Sequence, residues 1–365
     1  FSPHSVSDLV RVNPLVPLAI GAGLLGIGFG AATLVNTNRF SLHALYRARL
    51  IRAYLGASRP PGERKPDPLT GFDETDNPVV GDLAAPPLQP GAGAEKGPLH
   101  VVNLALNLVA GQNLAWQERK AESFTVTCLH AGATNLGYRP TSFNGQTDGL
   151  ENTLYGGTRG ISLGTAVTIS GAAASPNMGY HSSPVIAFLM TLFNIRLGWW
   201  LGNPGPAGDD TFHRSEPRLA VRPIFDELLA NTDDVNPYVY LSDGGHFENL
   251  GLYEMVLRRN RFIFVSDAGC DETCSLEDLG NAIRKIRIDL GIPVEFSSEF
   301  KIRARSDDPA APAGRYWALG RIRYAVFDGT APDDDGLILY VKPGFYGNEP
   351  RDVFNYASAN KAFPH

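Results

Sequence analysis

Cysteine is scarce in this chain. The 365 residues contain three cysteines, Cys128, Cys270 and Cys274, so one of them stays unpaired in any redox state. None belongs to a CxxC pair or to a His-Cys cluster with the spacing of zinc ligands. These absences exclude a disulfide-stapled scaffold and favour a reducing compartment.

Charged residues are also few, at 19% against the usual ~25%, and positive charge is not in excess. The 32 lysines and arginines are outnumbered by 38 aspartates and glutamates, which gives a net charge of −6. Because a surface that coats nucleic acid is basic, this balance argues against nucleic acid as a partner. No motif indicates a cofactor, and we expect none.

One long stretch has no charge at all, from residue 12 to residue 38. Within it, residues 15–35 are 21 predominantly apolar residues, about the ~20 needed for a transmembrane helix. Ala22, Gly26 and Gly30 repeat at the spacing that lets a second helix approach closely. The pattern predicts an apolar, possible transmembrane, helix. The alternative is a glycine-rich helix or loop that is buried in protein.

A basic helix is predicted directly after this stretch, from Ser41 to Gly56. Its arginines follow the apolar run, so the positive-inside tendency places the rest of the chain in the cytoplasm. We therefore expect a membrane-associated protein whose catalytic portion is cytoplasmic. The chain opens with Phe1 and not with methionine, from which we expect a portion of a longer protein.

Composition divides the chain into three segments. Residues 1–56 are the apolar segment and the basic helix, and residues 57–98 are a Pro/Gly-rich linker. Residues 99–365 alternate β-rich runs with helical patterns, which predicts an α/β domain. The runs YVYLS and RFIFVSD flank a helical pattern and predict two parallel strands joined by a crossover helix.

Asp243 comes at the end of the first of these runs and is followed by Gly244 and Gly245. In α/β sheets, reactive groups collect where strands end, and two glycines permit a sharp turn with close backbone approach. The pattern predicts a carboxylate that faces a cleft. The alternative is a helix N-cap followed by a flexible turn.

The segment SDGGHFENLGLYE resembles the DGG segment of patatin-like acyl hydrolases, and ISGAAASPNMGY resembles the small-residue segment that precedes it in that family. The stretches FSLHALYRARLIRAYLGASR and HVVNLALNLVAGQNLAWQERKAESF resemble a large bacterial membrane-associated branch. The resemblance implies a patatin-like mixed sheet flanked by helices. It also implies that Asp243 is the base of a Ser-Asp dyad, with Asn249 at a family position.

Members of that family carry a glycine-rich oxyanion loop and a GxSxG nucleophile elbow ahead of the segments seen here. The literal GxSxG of this chain is centred on Ser162, which lacks a preceding apolar strand and comes late in the family order. We therefore interpret Ser162 as a helix cap and retain it only as the alternative nucleophile within this chain. The nucleophile is expected on an N-terminal portion of the same protein.

The implied reaction is hydrolysis of a phospholipid or another fatty-acyl ester at a membrane. Two alternatives remain open at the level of sequence. One is a catalytically silent membrane-associated scaffold or subunit. The other is a metal-dependent hydrolase that combines Asp243 with the acidic group Asp267, Asp271 and Glu272, although turn chemistry is the preferred interpretation of that group and no metal is expected. His246 is interpreted as a polar residue of the turn and not as a triad member.

Overall fold

The computed structural model describes residues 15–34, 36–83, 98–111, 119–142, 153–271, 273–298, 300–304 and 314–360. The chain divides into two compact units, Phe1–Phe247 and Glu248–His365. Both units contain helices and strands, which confirms that the fold is mixed α/β.

The first unit contains a six-stranded sheet in the order β4-β3-β2-β1-β6-β5, in which all neighbours are antiparallel. Its strands are β1 Val101–Asn107, β2 Ala121–Thr127, β3 His130–Ala133, β4 Gly137–Pro140, β5 Trp199–Gly202 and β6 Tyr238–Asp243. The period-two apolar pattern at Val102, Leu104, Leu106 and Leu108 predicts a buried face, and all four side chains lie in the core.

The helices of the first unit are α1 Leu15–Leu34, α2 His43–Leu50, α3 Leu163–Ser170, α4 Pro184–Leu192 and α5 Val221–Leu228. Ser183 followed by Pro184 predicts a helix start, and α4 begins there, with Ser183 as the N-cap residue and Pro184 in the first turn. A π-helical turn, Ile51–Gly56, continues α2 to the predicted glycine stop.

Helix α1 forms where the sequence predicts a helix, and most of its side chains are exposed. No helix among the described residues is long and apolar enough to cross a membrane. The prediction of a transmembrane helix is therefore not supported.

The first part of the predicted linker packs closely within the first unit. Gly56 lies so near Asp76 that a Cβ there would come within 2.6 Å of the carboxylate. Asp76 accepts hydrogen bonds from Arg59 at 2.8 Å and Arg64 at 2.7 Å, and Val80 is buried. These bonds tie Arg59 and Arg64 to Asp76 within the predicted linker, while residues 84–97 lie outside the described residues. The predicted segment boundaries themselves stay a prediction.

The second unit contains a four-stranded sheet in the order β7-β10-β9-β8, with β7 parallel to β10 and the other neighbours antiparallel. Its strands are β7 Phe262–Ser266, β8 Val294–Phe296, β9 Trp317–Ile322 and β10 Gly336–Val341, and its helices are α6 Leu252–Leu257, α7 Glu277–Leu290, α8 Tyr324–Asp328 and α9 Arg351–Ala359. Residues 315–342 contain two β-rich runs with turn residues between them, which predicts a hairpin, and β9 and β10 form it with α8 in their connection.

The predicted parallel pair of β6 and β7 is wrong. Strand β6 pairs antiparallel with β1 on one side and β5 on the other, so both of its hydrogen-bonding edges are occupied within the first sheet. Strand β7 belongs to the other sheet, where its parallel partner is β10. The helical pattern between them is confirmed as α6, but it joins two different sheets.

Candidate functional site

Strand β6 positions Asp243. Val239, Tyr240, Leu241 and Ser242 are fully buried, so both faces of the strand are fixed by packing up to its last residue. Asp243 ends the strand and caps a short 3-10 turn, Gly244–His246, by accepting the N–H of Gly245 at 2.7 Å. We call residues 243–246 the Asp243 turn.

Gly244 is required in this turn because the chain passes close to β1. A Cβ on Gly244 would lie 2.7 Å from the carbonyl oxygen of Asn103. Contact with a backbone atom cannot be relieved by rotating a side chain, so any larger residue would displace the turn.

The carboxylate of Asp243 is half-buried, and among the described residues it has no ion-pair partner. Burial raises its pKa, and the Gly245 N–H partly offsets that effect. A carboxylate with a raised pKa and without a cation is a better proton acceptor than an ordinary aspartate. This arrangement is the one expected of a general base.

Tyr46, on α2, interacts electrostatically with Asp243. Burial and the charge of Asp243 both raise the pKa of Tyr46. Its hydroxyl lies against Gly171, where a Cβ would come within 2.7 Å of the phenolic oxygen. Gly171, the residue after α3, therefore makes room for the Tyr46 phenol.

Ser170, the last residue of α3, also borders the Asp243 turn. Its hydroxyl donates to the carbonyl oxygen of Asn103 at 2.8 Å, and that same oxygen is the atom packed against Gly244. Strand β1, α3 and the turn therefore meet at one backbone carbonyl. Ser170 brings a hydroxyl to this meeting point.

A serine-histidine pair lies beside the carboxylate. The Ser242 hydroxyl and the His246 Nδ1 are 2.7 Å apart, and the Asn107 amide donates to the same hydroxyl at 2.8 Å. Successive residues of a strand point to opposite faces, so Ser242 and Asp243 face opposite sides of β6. Ser242 is fully buried. The pair ties the turn to β6 and β1, in keeping with the interpretation of His246 as a turn residue.

The loop before α4 packs on the other side of the turn. Gly179 has φ of +52° and donates its N–H to the Asn107 carboxamide at 3.0 Å. A Cβ there would lie 2.8 Å from the carbonyl oxygen of His246. The turn is thus fixed from β1, from α3 and from this loop, and it positions Asp243 rigidly.

Ser162 is the N-cap of α3, as the sequence interpretation expects. Its hydroxyl accepts the Thr165 N–H at 3.2 Å, donates to the Thr165 hydroxyl at 2.9 Å and accepts from the Asn77 amide at 3.1 Å. It lies at the opposite end of α3 from Ser170, roughly 12 Å along the helix axis. The structure gives Ser162 a capping role and does not bring it to the Asp243 turn.

The other predicted positions lie in the second unit. Asn249 donates its side-chain amide to Asp278 at 2.7 Å. Asp267 is buried, pairs with Lys342 at 3.1 Å and accepts from the Tyr340 hydroxyl at 2.5 Å.

Asp267 and Asp271, the described members of the predicted acidic group, are therefore engaged in local structure. Asp271 accepts the backbone N–H groups of Ser275 and Leu276, each at 2.8 Å, which is turn chemistry. Glu272 lies outside the described residues. Across the part of the chain that the structure describes, no group of three His, Cys, Asp or Glu side chains has an arrangement that could hold a metal ion.

Sequence reasoning missed Tyr46, Ser170 and the pairing of Ser242 with His246. Tyr46 belongs to the predicted basic helix but has no role assigned from the sequence, because its contacts with Gly171 and Asp243 come from more than a hundred positions away. The serine-histidine pair left a detectable signal, since the two residues are four positions apart across a glycine turn.

Comparison of the chain with models of known protein families gives no match, and comparison with curated proteins gives no significant match. The site is therefore interpreted from its own geometry.

Proposed function

We propose that this chain provides the general base of a lipid acyl hydrolase, with Asp243 as that base. The observation that carries the proposal is the state of its carboxylate. It lies at the end of a rigid buried strand, burial raises its pKa, and no cation neutralises it among the described residues. A structural aspartate at such a position is typically paired.

The chemistry is acyl transfer through serine. Asp243 takes the proton of a serine hydroxyl while the serine oxygen attacks the acyl carbon, and the alcohol leaves with a proton as the ester bond breaks. Water then attacks the acyl-serine, with Asp243 again accepting the proton, and releases a fatty acid and the free serine. Backbone N–H groups are required to stabilise the oxyanion of each step.

The serine belongs, in this proposal, to a segment outside the described residues. The resemblance of the Asp243 turn to patatin-like hydrolases supports such a segment. We propose that the segment and the described residues together form a patatin-like mixed sheet flanked by helices. Ser162 is occupied as a helix cap, and Ser242 is buried beneath the turn. Ser170 differs from these two serines, because its hydroxyl bonds to the Asn103 carbonyl oxygen that packs against Gly244 in the turn.

Apolar helices support a fatty-acyl ester as substrate and a membrane as the place of action. Helix α4 begins five residues after Gly179, which packs on the Asp243 turn, and it exposes Val185, Phe188 and Leu192 by 68%, 45% and 59%. Exposed apolar side chains of this density are typical of surfaces that contact lipid or protein. We propose that α4, with the exposed side chains of α1, contacts a lipid surface on its cytoplasmic side.

Active-site labelling tests the proposal directly. The full-length protein is treated with a fluorophosphonate, and the modified serine is mapped by mass spectrometry in the wild type and in Asp243→Asn. We expect one serine to be labelled, and labelling to slow strongly in the variant because the proton acceptor is gone. Asp333→Asn, an exposed carboxylate of the second unit, is the matched control.

Two outcomes would contradict the assignment. If the fluorophosphonate labels no serine and the protein shows no ester turnover, the catalytically silent scaffold is favoured. Loss of turnover after treatment with EDTA, without serine labelling, would favour the metal-dependent hydrolase.

A further inference from the structure

A cavity of about 590 Å³ lies in the first unit at the other end of β6 from the proposed base. Tyr238 lines it and is the first residue of β6, whereas Asp243 is the last, which separates the two by roughly 17 Å along the strand. Its volume is in the ~300–1,000 Å³ range of small-molecule sites. The cavity is therefore a separate candidate site that the esterase chemistry does not use.

Three arginines line this cavity, and two of them have little to neutralise them. Arg222 bonds to the Asn236 side chain and lies 3.7 Å from Asp226. Arg214 has a single long contact, 3.5 Å, with the backbone oxygen of Asp210. Arg218 is exposed and, within the described ranges, its guanidinium has no hydrogen-bond or ion-pair partner.

The acids of the lining do not balance this charge. Asp226 is engaged by Arg222, from whose guanidinium it lies 3.7 Å away. Asp210 is exposed at the cavity and offers only its backbone oxygen to Arg214. Three arginines against two aspartates leave a positive surplus in a protein whose net charge is −6.

The rest of the lining is apolar. Trp200 is only 3% exposed and supplies aromatic surface, and Tyr238, Pro223 and Pro237 add further apolar area. Leu219 is 43% exposed between Arg218 and the first residues of α5. Guanidinium groups beside a mainly apolar cavity suit a ligand with one anionic group and one apolar part.

We propose that this cavity binds an amphiphilic anion, with its phosphate or carboxylate held by Arg214 and Arg218 and its apolar part packed against Trp200, Leu219 and Tyr238. An inorganic anion would leave the apolar surface unfilled, and a neutral amphiphile would leave the two guanidinium groups without a partner. Each part of the lining therefore selects against one of the simpler ligands.

Calorimetric titration of the purified protein tests this proposal with three soluble probes: decyl phosphate below its micelle concentration, inorganic phosphate and decanol. We expect decyl phosphate to bind more tightly than either of the others. The double variant Arg214→Gln, Arg218→Gln is expected to lower the affinity for decyl phosphate by about tenfold or more, because it loses charge-assisted hydrogen bonds to the phosphate. The matched control Arg287→Gln, Arg351→Gln removes the same charge from exposed sites of the second unit and is expected to leave binding unchanged.

A second variant covers the case in which the double variant fails to fold. Leu219→Asp places a carboxylate at an exposed position beside Arg218, so it repels an anion while disturbing little of the core. It is expected to weaken the binding of decyl phosphate much more than the binding of decanol, because decanol loses only an apolar contact and decyl phosphate is also repelled by the new charge. Equal affinity for decanol and decyl phosphate, or no loss of affinity in either variant, would overturn the proposal.

Vesicles distinguish the source of the anion. Flotation with phosphatidylglycerol vesicles, compared with phosphatidylcholine vesicles, is measured for the wild type and for the double variant. Binding to phosphatidylglycerol that depends on Arg214 and Arg218 identifies a lipid headgroup as the ligand. If decyl phosphate binds, but binding to phosphatidylglycerol vesicles does not depend on Arg214 and Arg218, the ligand is a soluble amphiphile.

Discussion

The Ser242 hydroxyl and the His246 Nδ1 lie 2.7 Å apart, across the turn that carries Asp243. The link closes the turn from beneath, because Ser242 points to the face of β6 opposite Asp243 and is fully buried. Asn107 extends the link to β1 and to the loop at Gly179. The proposed base is thus held by a network of polar contacts that do not touch it.

Replacing Asp243 by asparagine tests the base while nearly conserving volume. The amide cannot accept the serine proton, so we expect kcat/KM for a short-chain ester to fall by roughly 10²- to 10⁴-fold, the range of general-base contributions. Near-wild-type turnover in Asp243→Asn, with the exposed Asp333→Asn variant as control, would rule out this role.

The pH dependence of turnover follows from the raised pKa of Asp243. The base works only when ionised, so kcat/KM is expected to rise with pH through an apparent pKa above the ordinary aspartate value of ~3.9. A rate profile that stays flat down to about pH 4 would contradict a partly buried aspartate as base.

Ionisation of Asp243 is expected to lower folding stability as pH rises, whereas it increases turnover. A carboxyl whose pKa is raised in the folded state stabilises the fold when protonated, below its unfolded pKa, and this contribution is lost as pH rises through the folded pKa. Asp243→Asn is therefore expected to have a Tm at pH 7 equal to or above that of the wild type, with the difference shrinking at acidic pH. A lower Tm at pH 7, measured by calorimetry, would show that the charge is stabilised by contacts other than those described.

Removing the Ser242 hydroxyl is expected to weaken the fold. Ser242→Ala removes a buried hydroxyl that accepts from the Asn107 amide at 2.8 Å and lies 2.7 Å from the His246 Nδ1, and the loss of these two hydrogen bonds costs about 1–3 kcal/mol of unfolding free energy. Urea denaturation measures the loss, and Ser58→Ala, at an exposed serine, is the control. If Ser242→Ala kept its stability but lost fluorophosphonate labelling, Ser242 itself would be the nucleophile.

Gly171 and Tyr46 are expected to be coupled. Gly171→Ala brings a methyl group against the Tyr46 hydroxyl and forces the phenol to move, at a cost of about 1 kcal/mol as for overpacking that a side chain can relieve. In a Tyr46→Phe background the clash is removed, so the cost of the alanine should largely disappear. Unfolding free energies of the two single variants and the double variant give the coupling, and additive values would show that the two residues are independent.

Much of the local structure was predictable because it depends on short-range patterns. The period-two run of β1, the Ser183-Pro184 start of α4 and the capping role of Ser162 follow from neighbouring residues alone. The Asp243 turn was predictable for the same reason, since a β-rich run followed by two glycines fixes a carboxylate at a strand end.

Strand pairing was not predictable from the same patterns. The runs of β6 and β7 look alike in sequence, yet β6 is buried on both faces between β1 and β5 and β7 alternates between exposed and buried residues. The partner of β7 is β10, which lies some seventy residues further along the chain and pairs Leu337 with Phe262. Hydrophobic periodicity reports which faces are buried and carries no information about which distant strand occupies each edge.

The sequence by itself therefore determined the composition class, the local elements and the carboxylate at the end of β6, because each depends on residues close together along the chain. Only the tertiary structure decided what surrounds that carboxylate. Tyr46, Ser170 and Asn103 come to it from α2, α3 and β1, and the arginine-lined cavity forms where the start of β6 meets β5 and α5. Burial of the carboxylate, which raises the pKa of Asp243, is a property of that assembled environment, and so is the absence of a neutralising charge among the described residues.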